Sequence, residues 1–276
     1  MSPKVSIIIP CYNDYKYIES AVQSALDQTY SNKEIIVIDD GSDLRTKEIL
    51  KRIAPKIDKL ITQDNQGVVV ARNNAIKAAI GEYILTLDSD DHFEPQFLDK
   101  AIPILKSQKN VGIVTSWVSI INEQGEPIRM FKPSGAPAPA AIFRNNAPGS
   151  ILFRKICWQE IGGYDPEMAN GNEDWEFNVS VCKKEWDIYV IPEILFNYRQ
   201  KKSSRNKTAL IYRKQIRYYA FNKHSDLLIQ NFDKTIDFFL NEIENKEKES
   251  MKIKNSNSYK LGELLLKPLR WLKSYF

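Results

Sequence analysis

The sequence predicts an α/β fold with a mostly parallel central sheet flanked by helices and a C-terminal helical tail. Three observations carry that prediction. Short apolar runs alternate with stretches of helical periodicity through residues 1–100. Strands alternating with helices require right-handed βαβ crossovers, and hence parallel pairing. Polar clusters also follow the runs: Pro10-Cys11-Tyr12-Asn13, Asp39-Asp40, Asp64-Asn65 and Asp88-Ser89-Asp90-Asp91. Ligands of such sheets bind at the carboxyl ends of the strands, so these clusters mark one crevice.

Val5 to Pro10 reads as the first strand, and Tyr15, Ile18, Val22, Ala25 and Leu26 recur at helical spacing behind it. Glu34 to Ile38 is the second strand, and Ser42 or Asp43 can cap the helix that runs to about Ile53. Ile57 to Thr62 is a shorter third strand. Gly67 opens a helix with Val68, Ala71, Ala75 and Ala79 on one side, and Tyr83 to Leu87 is the fourth strand. Val111 to Ile121 is strand-like, with a turn at Asn122 to Gly125 leading into Ile128 to Phe131. Pro133 to Pro148 reads as a loop and Ser150 to Phe153 as a short strand. Gly162-Gly163 stops a helix, and Asp174 to Lys184 is helical. Asp187 to Ile191 and Leu195 to Tyr198 close the region as two strands. Beyond them, Lys201 to Arg217 holds seven basic residues and no acid. Phe232, Ile236, Phe239, Leu240 and Ile243 mark an amphipathic helix. Lys246 to Ser258 is polar and expected to be mobile. Leu261, Leu264, Leu265, Leu269, Leu272 and Phe276 form an apolar stripe beside Lys260, Lys267, Arg270 and Lys273, and Pro268 is expected to kink that helix.

Composition excludes several classes. With 43% hydrophobic and 27% charged residues, the chain can bury an ordinary core. Cys11, Cys157 and Cys182 lie far apart and form no metal spacing, which suits a reducing compartment. Val5 to Pro10 is too short for the apolar part of a signal peptide, and no stretch approaches the roughly 20 apolar residues of a membrane span. The net charge of +4 is concentrated in the tail. Lys246 to Phe276 carries eight Lys or Arg against three Glu, so the rest shows no nucleic-acid signature.

Asp88, Asp90 and Asp91 crowd one strand end and repel one another unless something positive sits among them. Mg²⁺ or Mn²⁺ suits carboxylate oxygens; the alternative is an acidic turn capping the next helix. The first strand turn has no Gly-x-Gly-x-x-Gly and there is no Walker loop, so a nucleotide must be held otherwise. Asp39 could accept from the N3–H of uracil while Tyr12 flanks the base; the alternative is a plain turn with a helix cap. Glu173-Asp174 could equally serve as first-turn acids of a helix.

Taken together, Pro10-Cys11-Tyr12-Asn13, Val37-Ile38-Asp39-Asp40-Gly41-Ser42, Gly67 with Ala71-Arg72-Asn73, Leu87-Asp88-Ser89-Asp90-Asp91 and Gly171-Asn172-Glu173-Asp174-Trp175 resemble the family 2 glycosyltransferases, which have the GT-A fold. The resemblance covers about Lys4 to Arg199. It implies a catalytic domain at 1–205, with a nucleotide-binding half (1–100) and an acceptor half (101–205), before a helical extension at 206–276. It implies nucleotide contacts from Pro10, Tyr12, Asn13, Asp39, Asn65, Arg72, Asp88 and Ser89, and metal ligation by Asp90 and Asp91. Asp174 matches the catalytic base. Glu173, Trp175 and Gly163 fall on the acceptor side, where Trp175 is either platform or core and Gly163 either shapes the site or stops a helix. Many relatives carry a histidine shortly after the equivalent of Tyr198-Arg199; here Lys202 and Arg205 are the candidates to cover the diphosphate.

The implied activity is an inverting, Mn²⁺- or Mg²⁺-dependent transfer from a UDP-sugar to a saccharide or lipid-linked saccharide hydroxyl. One base and one displacement predict inversion, and no second carboxylate is evident for a covalent intermediate. A dTDP- or GDP-sugar donor, or a nucleotide-sugar-binding protein without catalysis, are the alternatives. The expected location is cytoplasmic, with residues 260–276 either on the inner membrane face or packed on protein. No nucleic-acid partner is expected.

Overall fold

The structure, a computed structural model, describes residues 2–201 and 211–273, without the side chains at 138–139 and 267–273. The chain forms two compact units, Met1–Leu227 and Leu228–Phe276.

The first unit is built on one sheet. β1 (Val5–Cys11), β2 (Lys33–Asp40), β3 (Lys59–Gln63) and β4 (Tyr83–Thr86) are all parallel, in the order β3-β2-β1-β4. They are joined by α1 (Ile18–Leu26), α2 (Leu44–Ile53) and α3 (Val68–Ala78). Every residue of β1 is buried, because a parallel sheet is covered on both faces. Val5, Ile7 and Ile9 pack into one core with Ile18, Val22 and Ala25 of α1, showing the period of two expected of a strand. Asp43 caps α2 by accepting from Thr46 N at 2.8 Å.

The second half is mixed. It comprises β5 (His92–Phe93), α4 (Phe97–Ser107), β6 (Val111–Ile121), β7 (Pro127–Phe131), α5 (Ala138–Ala141), β8 (Leu152–Arg154), α6 (Lys155–Ile161), α7 (Glu173–Lys183) and β9 (Asp187–Arg199). β8 inserts antiparallel between β4 and β6, β9 runs parallel to β6, and β5 closes the edge antiparallel to β9. The two strands expected at 187–198 are one strand, interrupted in register where Ser116 faces Ile191 and Trp117 faces Ile194. Pro192 stands in that gap, and proline has no N–H to give a ladder. A short helix, α5, lies within the segment expected to be loop.

The first unit extends past the expected boundary at 205. α8 (Arg213–Lys223) and the start of α9 (Ser225–Gln230) belong to it. The reason is a buried ionic cluster. Lys223 Nζ reaches Asp165 at 2.6 Å and Glu176 at 2.8 Å; His224 Nε2 lies 2.9 Å from Glu176; Tyr219 donates to Asp165 at 2.7 Å. Ile216, Ala220 and Leu227 are buried beside these polar groups.

The second unit holds α10 (Phe232–Asn255) and α11 (Asn257–Lys273). The segment expected to be mobile, from Lys246, continues α10 to Asn255. Lys246 pairs with Glu249 and Lys248 with Glu244, each at 2.6 Å and at helical spacing, which supports an exposed helix. Among the described residues no helix is long and apolar enough to cross a membrane.

Candidate active site

The donor side is assembled where the β1 and β2 ends meet. Asp39 ends β2 deeply buried, and its Oδ1 accepts from Ser42 N at 2.9 Å. Tyr12, 52% exposed, stands open at the end of β1, while Pro10 is buried within that strand. Asn13 has φ +54° and locks the two loops together: its N–H donates to Ser42 Oγ at 3.0 Å and its Oδ1 accepts from Asp43 N at 2.7 Å. Asp40 takes Gln63 Nε2, Gln66 N and Gly67 N, which anchors the loop carrying Asn65. That loop passes so close to Gly41 that a Cβ there would lie 2.6 Å from Asn65 N. Gly41 also has φ +74°, so only glycine serves at this turn.

The acidic cluster lies next to this. Ser89 Oγ donates to Asp14 Oδ2 at 2.8 Å, and Asp88 N donates to Ser150 Oγ at 3.2 Å. Asp90 Oδ2 pairs with Lys201 Nζ at 2.6 Å, and the same ammonium lies 3.4 Å from Asp14. Asp91 is buried; its Oδ1 accepts from Arg199 N at 2.7 Å, and its Oδ2 has no partner among the described residues. Burial, then Asp90 and Asp88, push the Asp91 carboxyl well above the usual range. Asp90 is raised too, mainly by burial, against the pull of Lys201. Among the described residues no three His, Cys, Asp or Glu side chains close around one point.

A single guanidinium joins the acidic cluster to the first turn of α7. Arg72, 2% exposed on α3, bonds Asp88 with Nη2 and Glu173 with Nη1, the latter at 2.9 Å. Its plane lies over Tyr164, 5.5 Å from the ring centre, and Tyr164 in turn stacks on Phe177. Asp174 follows Glu173 in the first turn of α7 and accepts from Asn145 Nδ2 at 2.8 Å. Burial and the Glu173 charge raise its pKa to about 6. Gly149 faces both groups: a Cβ there would sit 3.8 Å from Asp174 Oδ2 and 3.8 Å from Arg72 Nη2.

Of the expected site residues, Tyr12, Asp39, Arg72, Asp88, Ser89, Asp90, Asp91, Glu173 and Asp174 are placed at the ends of β1, β2, β4 and α7 and on α3. On the acceptor side, Trp175 and Gly163 take the structural one of the two readings open to each. Trp175 is buried; its Nε1 donates to Ala141 O at 2.7 Å and its ring meets Phe221 edge-on, so it anchors α5 and α8 and is no platform. Gly162 ends α6 in the left-handed conformation, and Gly163, at φ +95°, admits Asn73: a Cβ there would fall 2.8 Å from Asn73 Oδ1. Lys202 and Arg205 lie outside the described residues. Sequence reasoning missed Asp14, Asn145, Arg199 and Lys201. Each reaches the site through contacts 29 to 187 residues apart, and no short motif signals them.

The profile described as glycosyl transferase family 2 matches residues 6–169, more than half of the chain. The chain belongs to that family. A Bacillus subtilis glycosyltransferase named for teichuronic acid biosynthesis, TuaG, is 30% identical over 76% of this chain and 88% of its own length. EpsE of Bacillus subtilis, also named as a glycosyltransferase, is 25% identical over 76% of this chain and 78% of its own. Among solved structures, S. aureus TarS 1–349 in complex with UDP-GlcNAc superposes with a TM-score of 0.62 at 20% identity, covering 74% of this chain and 60% of that one. A longer TarS structure gives 0.60 and is covered over 37% of its length. The fold of this family 2 glycosyltransferase is GT-A, as its motifs imply.

Proposed function

We propose that the chain is an inverting glycosyltransferase that moves a sugar from a UDP-sugar to a hydroxyl of a saccharide or lipid-linked saccharide. The observation that carries this reading is the Arg72 bridge, which fixes the acidic strand end and the Glu173-Asp174 turn to one buried group. A base and a nucleotide site must be held in register for one displacement, and here they share an anchor.

On the donor side, the Asp39 carboxylate accepts the imino N–H of uracil and Tyr12 flanks the ring. S. aureus TarS, of the same fold, has been solved with UDP and with UDP-GlcNAc, which supports that donor class. Asp90 and Asp91 fit a divalent cation: both are oxygen donors, both are held above their usual pKa by crowding and burial, and one buried oxygen of Asp91 has no described partner. Mn²⁺ or Mg²⁺ held there would offset the charge that develops on the leaving diphosphate.

Asp174 takes the proton as the acceptor oxygen attacks the anomeric carbon. The bond to the diphosphate breaks with its electron pair leaving on phosphate oxygen, and a single displacement inverts the centre. A pKa of about 6 leaves Asp174 ionised at neutral pH and still basic enough to accept. The name of TuaG supports a saccharide acceptor. Asp174→Asn is the test. It should bind UDP as the wild type does and lose on the order of 10²-fold or more in turnover, the scale of a general base. Lost UDP binding with unchanged turnover of bound complex refutes the assignment.

A further inference from the structure

Lys201 lies two residues past the end of β9, and its ammonium enters the acidic cluster. It lies 2.6 Å from Asp90 Oδ2 and 3.4 Å from Asp14 Oδ2, with the Tyr17 ring 5.5 Å away. Among the described residues, the other cations at the cluster, Arg72 and Arg199, are committed elsewhere. Arg72 bonds Asp88 and Glu173; Arg199 points its guanidinium at the backbone oxygens of Asp90, Asn122 and Glu123. The buried Asp91 Oδ2, in the same cluster, has no partner among the described residues.

An ammonium on Asp90 Oδ2 competes with a divalent cation for that carboxylate, since their charges repel. The lysine has a long flexible stem and three donors, so it can leave a carboxylate for another anion nearby. A nucleoside diphosphate provides that anion.

We propose that Lys201 is a donor-binding residue that holds the cation position on Asp90 and Asp14 in the free enzyme and moves onto the donor diphosphate when nucleotide and metal enter together. The proposal rests on the UDP-sugar reading above. It makes bare metal binding weak and couples metal to nucleotide, because the nucleotide removes the competitor.

The experiment uses the full chain at pH 8. Mn²⁺ binding without nucleotide is followed by the electron paramagnetic resonance of free Mn²⁺, and UDP binding with Mn²⁺ by calorimetry. Lys201→Met keeps the stem and removes the charge. It should bind bare Mn²⁺ on the order of tenfold tighter and Mn²⁺–UDP on the order of tenfold weaker, within the usual range of coupling between sites. Lys201→Arg should recover most of the UDP affinity, and Lys201→Gln replaces the Met variant if that one melts early. Unchanged Mn²⁺ affinity overturns the proposal, and so does a gain in Mn²⁺ affinity with UDP affinity unchanged. If wild type and variants alike ignore UDP, the donor reading falls and takes the transfer to diphosphate with it, even where the Mn²⁺ titration responds to Lys201.

Discussion

Asp174 shows how one environment sets both rate and stability. Its raised pKa, about 6, means that the carboxylate is the form burial disfavours. Turnover should therefore fall on the acid side with an apparent pKa near that value, which a pH–kcat profile would show. The linkage has the opposite sign for folding. A raised carboxyl contributes stability that is complete below the ordinary carboxylate value and lost as pH rises through about 6. Asp174→Asn should then melt higher than wild type at pH 8 by up to about 2 kcal/mol, discounted for partial exposure, and show no gain at pH 4. Arg72 is the converse case. Arg72→Met leaves Asp88 and Glu173 without their shared cation and should cost on the order of 3–5 kcal/mol in urea unfolding. The acids at 88, 90, 91 and 174 were legible in the sequence because each sits in a short local motif. Lys201 and Asp14 were not, since their roles arise only when β9 returns to the end of β1.

At the level of elements, α7 carries Glu173 and Asp174 and is held from outside. Glu176, 1% exposed, faces both Lys223 and His224 of the α8 end. A chain ended at residue 205 loses both partners and leaves a buried carboxylate unpaired, at a cost on the order of 3 kcal/mol or more. It should melt well below a chain ended at Leu227, which should melt close to the full chain's first transition; scanning calorimetry of the two decides. The strands β1, β2 and β4 were legible because burial on both faces makes them nearly continuous apolar runs. β8, with three residues, was read close to its place. β9 was read as two strands because Pro192 and Glu193 break its pattern. The role of α8 was not legible: its seven-residue basic surroundings look like solvated surface, and the acids that bind Lys223 lie on 165 and 176.

At the level of the molecule, the second unit carries a different chemistry from the first. Leu261, Leu264 and Leu265 of α11 are 61%, 74% and 68% exposed, in line with the apolar stripe seen in the sequence. The side chains of Leu269, Trp271, Leu272, Lys267, Arg270 and Lys273 lie outside the described residues, as does Phe276. Such a helix suits an anionic membrane surface, with about 1 kcal/mol from each nearby cation. Deleting 260–276 should abolish co-sedimentation with anionic liposomes and leave turnover on a soluble acceptor intact. An intact chain that ignores the liposomes, or a truncated one that unfolds, assigns the stripe to protein packing instead. The first unit runs to Leu227 because Lys223 and His224 bond acids at 165 and 176, contacts that hydropathy does not signal.

The guanidinium of Arg72 ties residue 88 to residue 173, positions contributed by opposite halves of the chain. Neither acid can be exchanged alone without stranding charge in a dry place. Over evolutionary time the three positions should consequently behave as one inherited character. Chains of this family that lack an acid at either position should also lack the arginine, and grafting one half onto a foreign partner should succeed only where the trio is kept whole.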